Sequence, residues 1–154
     1  MSSQGHPLLI AGRVSSLLLS NLDAEPAMPK SYFLEDSFIN AALRAVTYTS
    51  PLTSYVALYT TSPTKAGGGV EVSGGSYSRQ ICVWTAPVNG SSTNAADLFF
   101  PVATALWGTI TAFALLDGPL AGNLLYFANL NAPRLVQIND QVKFPIGQLQ
   151  VIED

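Results

Sequence analysis

The chain has 154 residues, which is one domain, or one domain with an arm. Only 11% of it is charged and the net charge is -3, so it offers no electrostatic attraction to nucleic acid, and much of its apolar surface is expected to meet a neighbour. Cys82 and His6 are the only residues of their kinds, which excludes an intrachain disulfide and any Cys-based or multi-His metal site.

Residues 1–30 read as an extended arm. Leu8, Leu9 and Ile10 form one apolar patch and Leu17, Leu18 and Leu19 a second, with Arg13 between them. No basic residue precedes the first patch, so the segment does not fit a secretory signal, and neither patch approaches the ~20 residues of a membrane span. No targeting segment and no membrane partner are expected. Pro26 and Pro29 favour extended backbone. Exposed leucines on such an arm make sense as intersubunit contacts, lying across a neighbour or adding a strand to it; the alternative is that the arm folds back on its own domain.

Residues 31–47 are the best helix candidate. Ser31 suits an N-cap, Glu35 and Asp36 suit the first turn, and Arg44 suits the last. Leu34, Phe38, Ala41 or Ala42, and Ala45 follow helical spacing and predict one inward apolar stripe covering an edge or end of a sheet.

The remainder reads as strands. Residues 55–60 alternate so that both faces can be buried. Ser62-Pro63 stops that ladder. Three glycines, Gly67 to Gly69, lead to a short extended piece at 70–72, and Gly74-Gly75 turn the chain into a strand expected over 77–85. Asn89-Gly90 is a hairpin-type turn inside a polar loop over 88–95. Further strands are expected at 97–100, 107–116, 123–130, 134–138, 141–144 and 148–152, with turns at Asp117-Gly118-Pro119 and Asn139-Asp140. Short strands at about 8–12-residue spacing predict a mostly β fold, an antiparallel β-sandwich of jelly-roll type over 31–154, carrying one N-terminal helix and the arm.

Three strings carry a resemblance. They are LYTTSPTKAGGGVEVSGGSYSRQ from Leu58 to Gln80, FPVATA with WGTI from Phe100 to Ile110, and GNLLY from Gly122 to Tyr126. In this order they resemble small proteins of tailed bacteriophages labelled tail fibre or minor tail proteins, over about residues 36–152. The resemblance implies a structural virion protein whose partners are other virion proteins, either the major capsid protein or tail proteins.

No catalytic constellation is visible. The only histidine is in the arm, so no serine or cysteine has a histidine base in the domain. Gly67-Gly68-Gly69 lacks the Gly-Lys-Ser/Thr of a phosphate loop. Glu71 and Asp97 are the only carboxylates that could flank a cleft, and nothing pairs them. Asn89, Asn94 and Asp97 are too sparse for calcium. Trp84, Trp107, Tyr55, Tyr59 and Tyr126 could line a sugar-binding face, but alternating strand aromatics are more often core. Cys82, among Ile81, Val83 and Trp84, reads as a buried structural thiol. Arg79 stands in an apolar run and wants a carboxylate; Glu71 is available across the glycine turn, and the two are expected to form a structural ion pair.

These features predict a non-enzymatic virion protein without cofactors, homo-oligomeric, and buried against its neighbours. A single domain without shaft repeats suits a capsid cement or decoration role that stabilises the particle. The alternatives are a tail fibre or minor tail protein, or a lectin-like module that binds host glycans.

Overall fold

The structure is a computed structural model and describes residues 14–16 and 28–153. Leu8, Leu9, Ile10, Leu17, Leu18 and Leu19 lie outside the described residues. In chain order the elements are β1 (Val14–Ser16), α1 (Tyr32–Arg44), β2 (Ser54–Thr61), β3 (Val70–Glu71), β4 (Gln80–Cys82), β5 (Ser91–Thr93), β6 (Leu98–Phe99), β7 (Gly108–Leu116), β8 (Leu124–Val136), β9 (Gln141–Phe144) and β10 (Gln150–Ile152). Among the described residues the fold is mostly β, with antiparallel sheets and one helix, as the strand spacing predicts.

β2 is the centre. Its alternating side chains let it pair along both edges: β7 lies on one, from Tyr55 opposite Leu116 to Tyr59 opposite Ala112. The other edge is shared end to end by β4, opposite Ser54 to Val56, and β3, opposite Tyr59 and Thr61. β8 completes this sheet beside β7. Both faces of β2 are buried, as predicted. Val56 and Leu58 point with Phe113 and Leu115 into the main core, while Ala57 and Tyr59 pack with Ala112, Ala114 and Leu116 on the opposite face. A second, three-stranded sheet has the order β1-β9-β6, and β5 and β10 form a two-stranded ribbon. Phe113 of β7 meets Phe144 of β9 with ring centroids 5.5 Å apart. The two sheets therefore pack face to face around one apolar layer, the sandwich arrangement.

Among the described strands β1 is the one parallel partner. Val14, Ser15 and Ser16 lie opposite Gln141, Val142 and Lys143 of their own chain, so this part of the arm folds back on its own domain.

Three strands differ from expectation. The strand predicted over 77–85 shrinks to β4, because Gly74, Gly75 and Ser76 all take positive φ and turn the chain so that Tyr77 points into the core. The polar loop predicted over 88–95 contains β5: Asn89 and Gly90 both have positive φ, Val88 and Ser91 exchange both backbone hydrogen bonds at 2.9 and 3.0 Å, and the chain returns as a strand. The predicted strands at 123–130 and 134–138 are one, β8. Its register against β7 jumps from Arg134 opposite Ile110 to Asn129 opposite Ala112. Pro133 falls within the surplus residues, where the strand needs no N–H from it.

α1 begins at its predicted cap. Ser31 is extended at φ -71° and ψ 161°, its hydroxyl accepts from the Leu34 N–H, and Ala45 ends the helix in the left-handed region. The N-terminus is moored: the Ser31 N–H donates to the Leu125 carbonyl and the Tyr32 N–H to the Lys65 carbonyl, both at 2.9 Å. The predicted inward stripe is not formed. Of the helix residues only Leu34 is buried; Phe38 packs edge-on against Tyr48 at 5.7 Å, and Ala41, Ala42 and Ala45 stay exposed. Moored at one end, the helix puts a single side chain into the core.

Candidate functional site: the Glu71–Arg79 lock and the loops around it

Between β3 and β4 the edge of β2 has a gap, and Leu58 presents its N–H there. The Tyr77 hydroxyl fills it, accepting that N–H at 3.0 Å. The same hydroxyl donates to Glu71 Oε1 at 2.8 Å. Arg79 then grips the carboxylate with two prongs, Nε to Oε1 at 2.8 Å and Nη2 to Oε2 at 2.7 Å. Its third nitrogen, Nη1, donates to the Gly118 and Ala121 carbonyls at 2.8 and 2.9 Å. One continuous set of hydrogen bonds therefore runs from the β2 backbone, through a phenol, a carboxylate and a guanidinium, to the loop between β7 and β8. The sequence pairs Glu71 with Arg79, and the structure brings them together.

The lock is largely dry. The Arg79 side chain is 8% exposed, and Tyr77 packs edge-on against Trp107 at 5.4 Å and parallel to Phe100 at 6.1 Å. Burial, with the Glu71 charge beside it, pushes the Tyr77 phenol well above its ordinary value. The hydrogen bonds it donates to Glu71 push the Arg79 guanidinium up as well. A phenol held neutral and a carboxylate engaged on both oxygens are suited to fixing geometry rather than to moving protons. Tyr77 is the member that sequence reasoning missed. Its signal was present, since residues 77 and 79 are one strand period apart in the same Ser-Tyr-Ser-Arg-Gln string.

Gly75 closes the same corner. Its carbonyl accepts from Trp107 Nε1 at 2.8 Å. A Cβ at that position would stand 2.9 Å from Nε1 and 3.1 Å from the Ala105 backbone, at a φ of +55°. Glycine is the residue this contact permits.

The loop that Arg79 holds is braced again from within. Asp117 accepts from the Asn123 N–H at 2.6 Å and from its side-chain amide at 2.8 Å. Loop residues 117–122 and residues 49–51 bound an open cleft of about 550 Å3, and Leu120 and Leu52 are almost wholly exposed. A second cleft, of about 400 Å3, lies between the start of α1 and the glycine loop, with Tyr32, Tyr59, Lys65 and Asn123 on its walls. There the Lys65 ammonium meets Glu35 at 2.5 Å and sits 5.8 Å above the Tyr32 ring.

The remaining candidates are structural. Asn94 is buried, and its amide is spent on the Ala96 and Pro145 carbonyls and the Leu149 N–H. Asp97 pairs with Lys143 at 2.8 Å, a bond that lowers its pKa, helped by the Ile146 N–H. Among the described residues no cluster of His, Cys, Asp or Glu could hold a metal ion, and no helix is long and apolar enough to cross a membrane. Cys82 is buried and its thiol is pushed up to about 12 by that burial, so the reactive thiolate is suppressed. Trp107 and Tyr59 are core residues, and Trp84 and Tyr126 pack against the core; Trp84 is turned inward by its bond to the Ser54 hydroxyl at 2.8 Å. These aromatics do not assemble into an exposed platform.

No curated protein matches the chain. The family described as podophage GP4 fiber I protein gp80 matches residues 29–152. That span opens on the mooring of α1 and closes on β10, so it takes in the sandwich, the Tyr77–Glu71–Arg79 lock and the loop the lock holds, and by it the chain belongs to the podophage GP4 fiber I protein family.

Proposed function

We propose that this protein is a non-enzymatic building block of a tail fibre, homo-oligomeric, and working by burial of apolar surface against neighbouring subunits. Membership in a phage fibre family makes it a virion protein that associates with other virion components, and the fibre match over residues 29–152 is the observation that carries the reading. It favours the tail over the capsid cement role suggested by the lack of shaft repeats, and a single sandwich can serve as one segment of a composite fibre. Two surface features support an assembly role: the low overall charge and the large apolar side chains left exposed on α1 and at Leu52 and Leu120. The lectin-like reading is less favoured, because four of the five aromatic side chains it needs, Trp84, Trp107, Tyr59 and Tyr126, are engaged in packing. Immunogold labelling of purified virions tests the placement. Gold confined to the tail is the expected result; gold spread over the head would replace the fibre role with capsid decoration.

A further inference from the structure

One buried group has no use within the fold. The Tyr59 side chain is only 6% exposed, and among the described residues its hydroxyl has no hydrogen-bond partner. A hydroxyl buried to this degree is ordinarily paired, because folding has already cost it most of its water. It is not sealed in. Among the described residues, the side-chain atom cut off from solvent and without a partner is Gln148 Oε1. The Tyr59 hydroxyl therefore reaches open space. The space that its side chain borders is the cleft of about 400 Å3 between the start of α1 and the glycine loop.

The walls of the cleft select the ligand. An anion finds no spare positive charge, because the Lys65 ammonium is already neutralised by Glu35 at 2.5 Å. A cation would meet that same ammonium, which already sits 5.8 Å above the Tyr32 ring. A neutral ligand remains. The Tyr59 hydroxyl both donates and accepts, and Lys65 has N–H groups beyond the one that Glu35 takes. Asn123 gives its side-chain N–H to Asp117 at 2.8 Å, which leaves its Oδ1 as an acceptor. Hydroxyl groups on the ligand answer donors and acceptors alike. Tyr32 is still 56% exposed and offers an apolar surface to ring C–H groups. Gly67 and Gly68, both at positive φ, leave their wall without side chains, and a Cβ at either would meet nothing within 4 Å. The volume falls in the range of roughly 300–1,000 Å3 usual for small-ligand sites. Neutral, rich in hydroxyls and apolar on one face is the chemistry of a sugar ring. We propose that this cleft binds one neutral hexopyranose, with the Tyr59 hydroxyl, Lys65 and Asn123 on its hydroxyls and Tyr32 against its C–H face. This goes beyond the fibre role. It also uses none of Trp84, Trp107, Tyr55 and Tyr126, which do not line the cleft.

Saturation-transfer NMR and isothermal titration of the purified full-length chain test it, with glucose, galactose and mannose, each free and as its methyl glycoside. At least one hexose is expected to bind, with a Kd on the order of 1 mM, as suits one small ring. Tyr59→Phe should weaken binding about tenfold and leave the melting temperature unchanged, because the hydroxyl it removes bonds nothing in the fold. Tyr32→Ala should weaken binding by about as much. Binding of the methyl glycoside as well assigns the site to the end residue of a glycan, and binding of the free hexose alone assigns it to a free sugar; the site stands in both cases. The proposal is overturned if neither hexoses nor glycosides bind, or if both variants bind as the wild type does. It is also overturned if inorganic phosphate displaces the hexose and binds more tightly, which would make this an anion site. A clear loss of melting temperature in Tyr59→Phe overturns it too, since the hydroxyl would then be structural. None of these results bears on the gold labelling, so the two proposals fail separately.

Discussion

Arg79 and Tyr77 each do two jobs with one functional group. The guanidinium neutralises Glu71 and ties down the Gly118 and Ala121 carbonyls, while the Tyr77 hydroxyl replaces a missing strand partner at Leu58 and donates a hydrogen bond to Glu71. Removing the guanidinium would leave the Glu71 charge unneutralised, its Oε2 without its donor, and two loop carbonyls without theirs. Arg79→Met should therefore destabilise the fold by about 2–3 kcal/mol, below the ~3–5 kcal/mol of a fully buried pair because Glu71 keeps some contact with water. Urea unfolding measures this, and an unchanged midpoint would show that the lock does not hold the loop. The pair itself was legible in the sequence, because a lone arginine in an apolar run needs a carboxylate and one stood across a glycine turn. Tyr77 was not legible as a ladder partner. Read as a strand residue, it contributes backbone to a sheet; only the three left-handed residues before it convert it into a side-chain donor and acceptor.

At the scale of elements, α1 shows how capping and packing separate. The cap residue, the acidic first turn and the basic last turn were all readable, because they act within one turn of the chain. The direction of the apolar face was not. Helical spacing marks out more than one stripe on this helix, and the sheet accepts only Leu34. Leu34→Ala should cost about 2–4 kcal/mol, while Leu43→Ala should change the stability of the monomer by less than about 0.5 kcal/mol. Urea unfolding at dilution checks the contrast, and equal effects would mean that Leu43 is packed in the monomer. β5 and β8 escaped the sequence for other reasons. The β5 residues are serine and threonine and gave no apolar alternation. In β8, Pro133 looked like a terminator, but the surplus residues opposite β7 absorb it.

The sandwich itself was legible as a whole molecule, since two-sided burial of β2 and regular strand spacing are both sequence properties. Its buried hydroxyls and thiol set how it responds to alkali. Burial raises Tyr59, Tyr77 and Tyr126, with nearby carboxylates adding to it, and burial raises Cys82 to about 12. In the unfolded chain the thiol loses its proton near pH 8.5 and the phenols near about pH 10, while in the fold they keep it. Above these values the folded state binds more protons than the unfolded one, so stability falls as pH rises. The melting temperature should be insensitive to these groups at neutral pH, begin to decline near about pH 9, and decline more steeply above about pH 10. Differential scanning calorimetry from pH 7 to 11 follows this, and a flat profile would show that these groups are not shielded in solution.

Lys30 meets Glu153 at 2.5 Å, and the same carboxylate accepts from the Tyr126 hydroxyl. The start and the end of the domain are thus fastened at a single point, and this has a mechanical meaning. A pull applied along the chain between residues 30 and 153 would enter and leave the fold at neighbouring points. It would first meet a partly exposed ion pair, of a kind worth at most about 1 kcal/mol, and would then peel the fold open from that seam instead of shearing its long β2–β7 and β7–β8 ladders. Hauling on such a domain by its ends is the weak direction. In the proposed fibre, tension would therefore be carried sideways, through faces shared with neighbouring subunits, and not along this chain.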